Sequence, residues 1–221
     1  MVKLTDLGFS RGVIFETVLS TYNDKGEPNA APMGVIMKNE RCVLTRVYNS
    51  SLTYQNLLSK KSAVVNVTSD VEVFFRSGAK DANPGEKTPR TWFVKAETVD
   101  APKLSMSEAT IEISVKKMTP IDAERTEAVC NVELIRARKI FPKVYCRAFS
   151  ATVEALIYAT RINCFLNGDE KQREQAKRLM KAFASCRDIV DRVAPESRYA
   201  EIMAQLEKQV ESWRVEDENL H

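Results

Sequence analysis

The feature that most limits how this chain can fold is a change of texture near residue 147. Before it, short runs rich in β-branched residues are separated by turn signals. After it, apolar residues recur at helical spacing almost to the end. With 221 residues there is room for one ordinary domain and a smaller appendage. The sequence therefore predicts two parts, residues 1–147 built from strands and residues 148–221 built from helices.

In the first part, residues 13–21 (VIFETVLST) have the length and composition of a strand. The Asn-Asp-Lys-Gly run at 23–26 supplies residues that tolerate the positive φ of a tight turn. Residues 29–37 and 41–47 continue as two further strands, and Pro32 marks an edge or a bulge. A short helix is expected over 51–59, with Ser50 or Ser51 as its N-cap, then a strand over 63–68. Residues 70–76 (DVEVFFR) read equally as a strand or a helical turn, and residues 77–89 read as an exposed loop. Residues 109–118 and 124–135 alternate apolar and polar side chains. About six antiparallel strands around one short helix predict a small closed or partly open barrel.

In the second part, residues 148–165 are apolar on most faces and predict a buried helix. Glu154 and Arg161 lie seven apart on one face of it, so each is expected to find a partner. Residues 170–193 predict one broken helix or two. In 196–213, Tyr199, Ile202, Met203, Leu206, Val210 and Trp213 fall on one stripe. These helices are expected to form a small cap packed on the barrel, with a frayed tail at 216–219.

Composition removes several chemistries. The single histidine is His221, which leaves Ser-His-Asp, Cys-His and His-ligated zinc sites without an internal member. The seven glycines form neither GxGxxG nor GxxxxGK, so a Rossmann fingerprint and a P-loop are absent. Five scattered cysteines without a CxxC pair predict a reducing compartment and inert thiols, with Cys146, beside Arg147, the one possible exception. The N-terminal run MVKLTDLGFSRG lacks a signal-peptide core and no apolar run is long enough to span a bilayer, so a cytoplasmic protein without membrane attachment is expected. A net charge of +3 is too weak to imply nucleic acid.

The richest stretch for binding is residues 46–57 (RVYNSSLTYQNL), where a guanidinium, hydroxyls and an amide meet at a strand end and a helix start. A helix N-terminus suits a phosphate, with Arg46 adding a charge-assisted contact and Ser50, Ser51 and Thr53 adding hydroxyls. The plainer reading is a capped helix whose arginine pairs with a surface carboxylate. A second cluster, Arg136, Arg138, Lys139, Lys143 and Arg147, with Phe141 and Tyr145 interleaved, is either a solvated face or a nucleic-acid stripe. Trp92 and Phe93 are read as an anchor for the loop before them or a mobile wall over a site.

The order of strand, Asn-Asp-x-Gly turn, Pro-Asn-x-x-Pro strand and Thr-x-x-Asn-Leu helix in residues 16–68 resembles the FMN-binding split-barrel superfamily. Together with YCRAFSATVEALIYATRI at 145–162, nearly the whole chain is similar to the domain-of-unknown-function 447 family. The resemblance implies an FMN-binding split β-barrel with a C-terminal helical subdomain, assembled as a homodimer. It implies that Arg46, Ser50, Ser51, Thr53 and Asn56 hold the phosphate and ribityl chain. Asn29, Ala31, Pro32 and Met33 would lie beside the flavin ring, where a core methionine next to an edge proline is the plainer reading. Arg147 is a further candidate contact for a ligand anion. The expected activity is a flavin reductase-like oxidoreductase using NAD(P)H or a small redox metabolite. The alternatives are a non-catalytic flavin carrier or sensor, and a nucleic-acid module using the stripe at 136–147.

Overall fold

The computed structural model describes residues 2–79, 88–138 and 146–219, with side chains to residue 214. Lys139, Phe141, Lys143 and Tyr145, and most of the expected loop 77–89, lie outside the described residues. Two units divide the chain: of the described residues, one holds 2–77 and 88–138, the other 78–79 and 146–219.

In the first unit, β1 (Ile14–Tyr22), β2 (Pro28–Asn39), β3 (Cys42–Tyr48), β4 (Ser62–Val67), β7 (Ala109–Pro120) and β8 (Arg125–Ala137) form a closed antiparallel barrel in the order β1-β2-β3-β8-β7-β4. The period of two decides what fills it. Leu19, Val35, Val43, Val65, Ile111 and Cys130 turn inward and are buried, while neighbours such as Glu16, Arg46 and Glu127 turn outward. Each end is plugged. Leu4 and Phe9 enter the core from the N-terminal segment, where Glu40, just before β3, accepts the Leu4 amide at 2.8 Å and the Thr5 hydroxyl at 2.7 Å. Helix α1 (Leu52–Lys60), just after β3, inserts Leu57. Plugs placed before and after one strand close opposite ends.

Residues 70–76 resolve as helix, α2 (Val71–Gly78), which carries Val73, Phe74 and Phe75 into burial. Ser77, expected in an exposed loop, is instead a buried member of this helix, its hydroxyl donating to the Val73 carbonyl at 2.7 Å. A separate hairpin, β5 (Phe93–Lys95) and β6 (Pro102–Leu104), is absent from the sequence reading because three-residue strands carry no measurable period. It covers the outer face of β4, where Val64 packs against Ala96 and Ala101.

The second unit contains α3 (Arg147–Leu166), α4 (Glu170–Val193) and α5 (Arg198–Asn219), with α4 and α5 both packed on α3. Residues 170–193 are one unbroken helix. It starts on a capping box in which Asp169 accepts the Gln172 amide and Gln172 accepts the Asp169 amide. Ile202, Met203, Leu206 and Val210 are buried as their stripe predicts. Helix α5 continues through 216–219, where a frayed tail was expected. Glu154 and Arg161 are exposed rather than buried, since α3 has an outward stripe at 150, 154 and 161 opposite its buried Ala148, Ala155, Ala159 and Ile162. Glu154 nevertheless has the partner expected for it, accepting a hydrogen bond from the Tyr158 hydroxyl.

Candidate functional site: the seam between β2 and β3

The barrel closes, yet two seams are only partly zipped: β1 meets β4 over three register pairs and β2 meets β3 over four, and the second opens toward the start of α1. Strand β2 pairs with β1 from Pro28 to Ile36 but with β3 only from Val35 onward, the last register pair being Val35 with Thr45. Residues 32–34 of β2 therefore face 46–48 of β3 without a ladder, and residues 28–31 run on past the end of β3. At the end of the zipped part, the Thr45 hydroxyl donates to the Gly34 carbonyl at 3.0 Å. Gly34 thus turns its backbone polar groups toward β3, and the period of two turns those of Pro32 and Ala30 the same way. Pro32 has no N–H, so this edge leaves one donor fewer to satisfy, which is the edge position its sequence signal indicates. Gly34 also permits close packing: a Cβ there would lie 2.7 Å from Ile14 Cγ2.

Helix α1 starts at the top of this seam. Ser51 is its N-cap, as expected, with Oγ accepting the Tyr54 amide at 3.1 Å and donating to the Tyr48 carbonyl at 2.7 Å. The N–H groups of Leu52 and Thr53 are first-turn donors with no carbonyl one turn back to bond. Ser50 beside them is exposed. The loop is held in place by Asn49. Its amide N–H donates to the Glu124 carbonyl at 2.7 Å and its side chain to the Ala123 carbonyl at 3.1 Å, while Oδ1 accepts the Thr126 hydroxyl at 2.7 Å. The Arg46 guanidinium stands on the outer face of β3, half exposed and 3.7 Å from Glu127 of β8.

The remaining candidates are sorted by the same geometry. Asn29 donates to the Thr53 hydroxyl at 3.3 Å and Asn56 to the Thr21 hydroxyl at 2.9 Å; all four residues are buried. Their polar groups tie α1 down onto β1 and β2. Met33 packs against the barrel core, and its carbonyl accepts the Thr17 hydroxyl at 2.9 Å. Ala31 and Pro32 are half-buried on the unpaired edge. Arg147 opens α3 in the other unit and is exposed. The seam thus gathers Arg46, Ser50, Ser51, Ala31 and Pro32, with Thr53, Asn29 and Asn56 immediately behind.

Outside the seam, the two arginines of the basic cluster described in the barrel unit are both engaged. Arg136 is bound by Glu97 at 2.8 Å and Arg138 donates to the Ser105 carbonyl. Hydrogen bonds from Arg136 and then Lys103 pull the Glu97 carboxyl down to about 2. Trp92 and Phe93 are half-buried, with the Arg76 guanidinium 5.8 Å from the Trp92 ring and Phe93 paired with Leu104 in the hairpin. All five cysteines are unbridged. Burial, then the field of Cys42, pushes the Cys130 thiol up to about 12; burial, then Glu154, raises Cys186. Neither is an activated nucleophile. Among the described residues no group of His, Cys, Asp and Glu forms a metal site, and no helix is long and apolar enough to cross a membrane.

Two buried polar residues escaped the sequence reading. Glu112, 0% exposed, accepts the Glu97 amide at 2.8 Å and both the amide and the hydroxyl of Thr98 at 2.6 Å. Asn66 donates to the Val18 carbonyl at 2.9 Å and the Ser20 hydroxyl at 2.8 Å, and accepts the Leu104 amide at 2.8 Å. Both fasten the hairpin to the barrel. Their one sequence signal was a polar residue on the outer face of a strand, which reads as solvent exposure until something covers that face.

Residues 15–138 match the family model described as protein of unknown function (DUF447), N-terminal domain. An FMN-bound protein of the same family from Methanosarcina mazei has a similar structure, with a TM-score of 0.75 and 23% identity over 93% of this chain and 99% of that one. Nitrilotriacetate monooxygenase component B from Bacillus cereus aligns with a TM-score of 0.50 and 13% identity over 66% of this chain and 82% of that one. At such identities the likeness identifies the fold, a split β-barrel with added helices.

Proposed function

We propose that this chain, which belongs to the DUF447 family, binds flavin mononucleotide in the half-zipped seam and works as a flavin-dependent oxidoreductase of the flavin-reductase kind. The observation that carries the reading is the unpaired edge of β2 ending beside a capped helix start and a half-exposed arginine. The donor set fits the cofactor. A phosphate needs convergent N–H groups and a cation, which the first turn of α1, Ser50 and Arg46 provide. The polar rim of a flavin ring needs backbone donors and acceptors on a flat surface, which the Ala30–Pro32 edge with its small side chains offers.

In this reading Arg46, Ser50 and the amides of Leu52 and Thr53 hold the phosphate. Ser51 keeps the helix start in shape while Thr53 and Asn56, through Asn29 and Thr21, keep α1 pressed onto the strands. Ala31, Pro32 and Met33 line the ring. The bound flavin supplies hydride chemistry at its ring, so the scarcity of histidine costs the protein little. Residues 1–147 form the flavin domain and 148–221 the helical subdomain, in a cytoplasmic homodimer. Tyr48 (53% exposed) and Leu52 (47%), apolar side chains beside the mouth, support a second copy covering it. NADH or NADPH is the proposed electron donor. The engagement of Arg136 by Glu97 favours this over nucleic-acid binding.

The test is a visible absorption spectrum of the purified chain after addition of FMN and desalting. A retained flavin band supports the site, and a colourless protein overturns it. Turnover of NADH or NADPH then separates an oxidoreductase from a flavin carrier. Sedimentation is expected to report twice 25.0 kDa.

A further inference from the structure

The arginine offered to the phosphate already has a partner. In the register of β3 and β8, Arg46 lies directly opposite Glu127 on the outer face of the barrel. Its Nε approaches a single carboxylate oxygen at 3.7 Å. The contact is loose: it is longer than a hydrogen bond, and the arginine side chain is 53% exposed. Such a pair contributes little to stability and leaves the guanidinium able to turn away. The carboxylate is more confined. Its side chain is 27% exposed and stands on a strand paired on both sides, with Arg46 of β3 opposite it on one and Thr119 of β7 on the other. Arg125, two residues along the same face, is taken by Asp122 at 2.7 Å and 2.9 Å. Among the described residues, Arg46 is the only ion-pair partner of Glu127.

We infer that Glu127 is a positioning residue that restrains Arg46 and so weakens the grip of the seam on a phosphate. The guanidinium has two anionic partners to choose between, the carboxylate on β8 and the phosphate at the start of α1. The inference deepens the reading above and rests on it. A phosphate monoester carries close to two negative charges at neutral pH, and the first-turn amides of α1 add to the pull of Arg46, so the phosphate wins the exchange. Its gain is reduced twice. Arg46 gives up Glu127 on turning to the phosphate. The carboxylate, rooted in a strand that cannot swing aside, then remains as an uncompensated like charge within reach of the same guanidinium. A ligand held by a shared cation leaves sooner than one held by an unopposed cation, and differences of this kind fall mostly on the release rate. The flavin ring and ribityl chain carry no charge for Glu127 to oppose.

The experiment measures dissociation constants by flavin fluorescence on the full chain, for the wild type and Glu127→Gln. The probes are FMN and riboflavin, which lacks the phosphate. Gln keeps the shape of the side chain, and Glu127→Thr repeats the comparison with a residue that suits a strand. At low salt FMN is expected to bind both variants roughly three- to tenfold more tightly than the wild type, chiefly through slower release. The gain should shrink at about 1 M salt, where the charges are screened, and riboflavin should bind all three proteins alike. Unchanged or weaker FMN binding in the variants, or an equal gain for riboflavin, overturns the restraint while leaving the flavin site standing. Failure of the wild type to bind either flavin overturns the site reading and this inference with it.

Discussion

The two units solve the same burial problem with different materials. The helical unit buries an almost wholly apolar set, including Leu156, Ile162, Phe183, Val190 and Leu206. Its buried Thr152 returns its hydroxyl to the Ala148 carbonyl of its own helix at 2.8 Å. The barrel unit buries Thr21, Asn29, Thr53, Asn56, Asn66 and Glu112, nearly all bonded between elements distant in sequence. Helices satisfy their backbone internally and have mainly side chains left to offer. A barrel depends on neighbours for every backbone bond, so a seam left unzipped has polar groups free to meet a ligand. The difference explains why the candidate site lies in the barrel.

That contrast can be broken most forcefully at Leu57, fully buried where α1 plugs the barrel. Leu57→Ala is expected to cost about 3 kcal/mol, read by urea unfolding, and a loss below about 1 kcal/mol would mean that α1 is not part of the core. Next, Arg46→Ala should weaken FMN binding by roughly 1–3 kcal/mol with little change in stability. Unaltered affinity in titration would move the phosphate elsewhere. In the helical unit, Asp169→Ala removes a capping box and should cost about 1 kcal/mol, followed by circular dichroism on heating. Arg161→Ala, on the outward stripe of α3, should change stability by less than about 0.5 kcal/mol; a larger loss would show that the stripe is covered.

The gentlest probe is pH. The Glu97 carboxyl is depressed from 4.5 to about 2 by Arg136 and Lys103. A depressed carboxylate stabilises the fold above its unfolded value and loses that contribution as pH falls through the folded one. Between about 4.5 and 2, amide exchange should therefore rise in residues 93–104 before it rises in α4, and the early rise should be absent in Glu97→Gln. The effect should be modest because both partners are partly exposed.

Much of the fold was legible because it is written in local periods. The barrel strands were readable from alternation and turn residues, and α3 and α5 from apolar spacing. Harder segments were those where the signal is short or ambiguous: α2, whose apolar run fits either period, and the three-residue strands of the hairpin. The fastening of that hairpin by Asn66 and Glu112 was invisible, because a polar residue in an alternating strand looks solvated until a distant segment arrives to cover it.

The candidate site was legible in part. Arg46, Ser50 and Ser51 stood out because a cation and hydroxyls at a strand-to-helix junction have a local meaning, and Ser51 caps α1 as that junction demands. The inward roles of Thr53, Asn56 and Asn29 were not legible, since their partners lie 24 or 35 residues away. What the sequence determined by itself was the class of each segment, the apolar faces and the chemistries ruled out, all set by neighbours within a few residues. Only the tertiary structure decided where β2 stops pairing with β3, which polar groups turn inward, and that the β7–β8 turn is fastened beside the start of α1. Those are matters of register and closure, fixed by contacts between strands far apart in the chain.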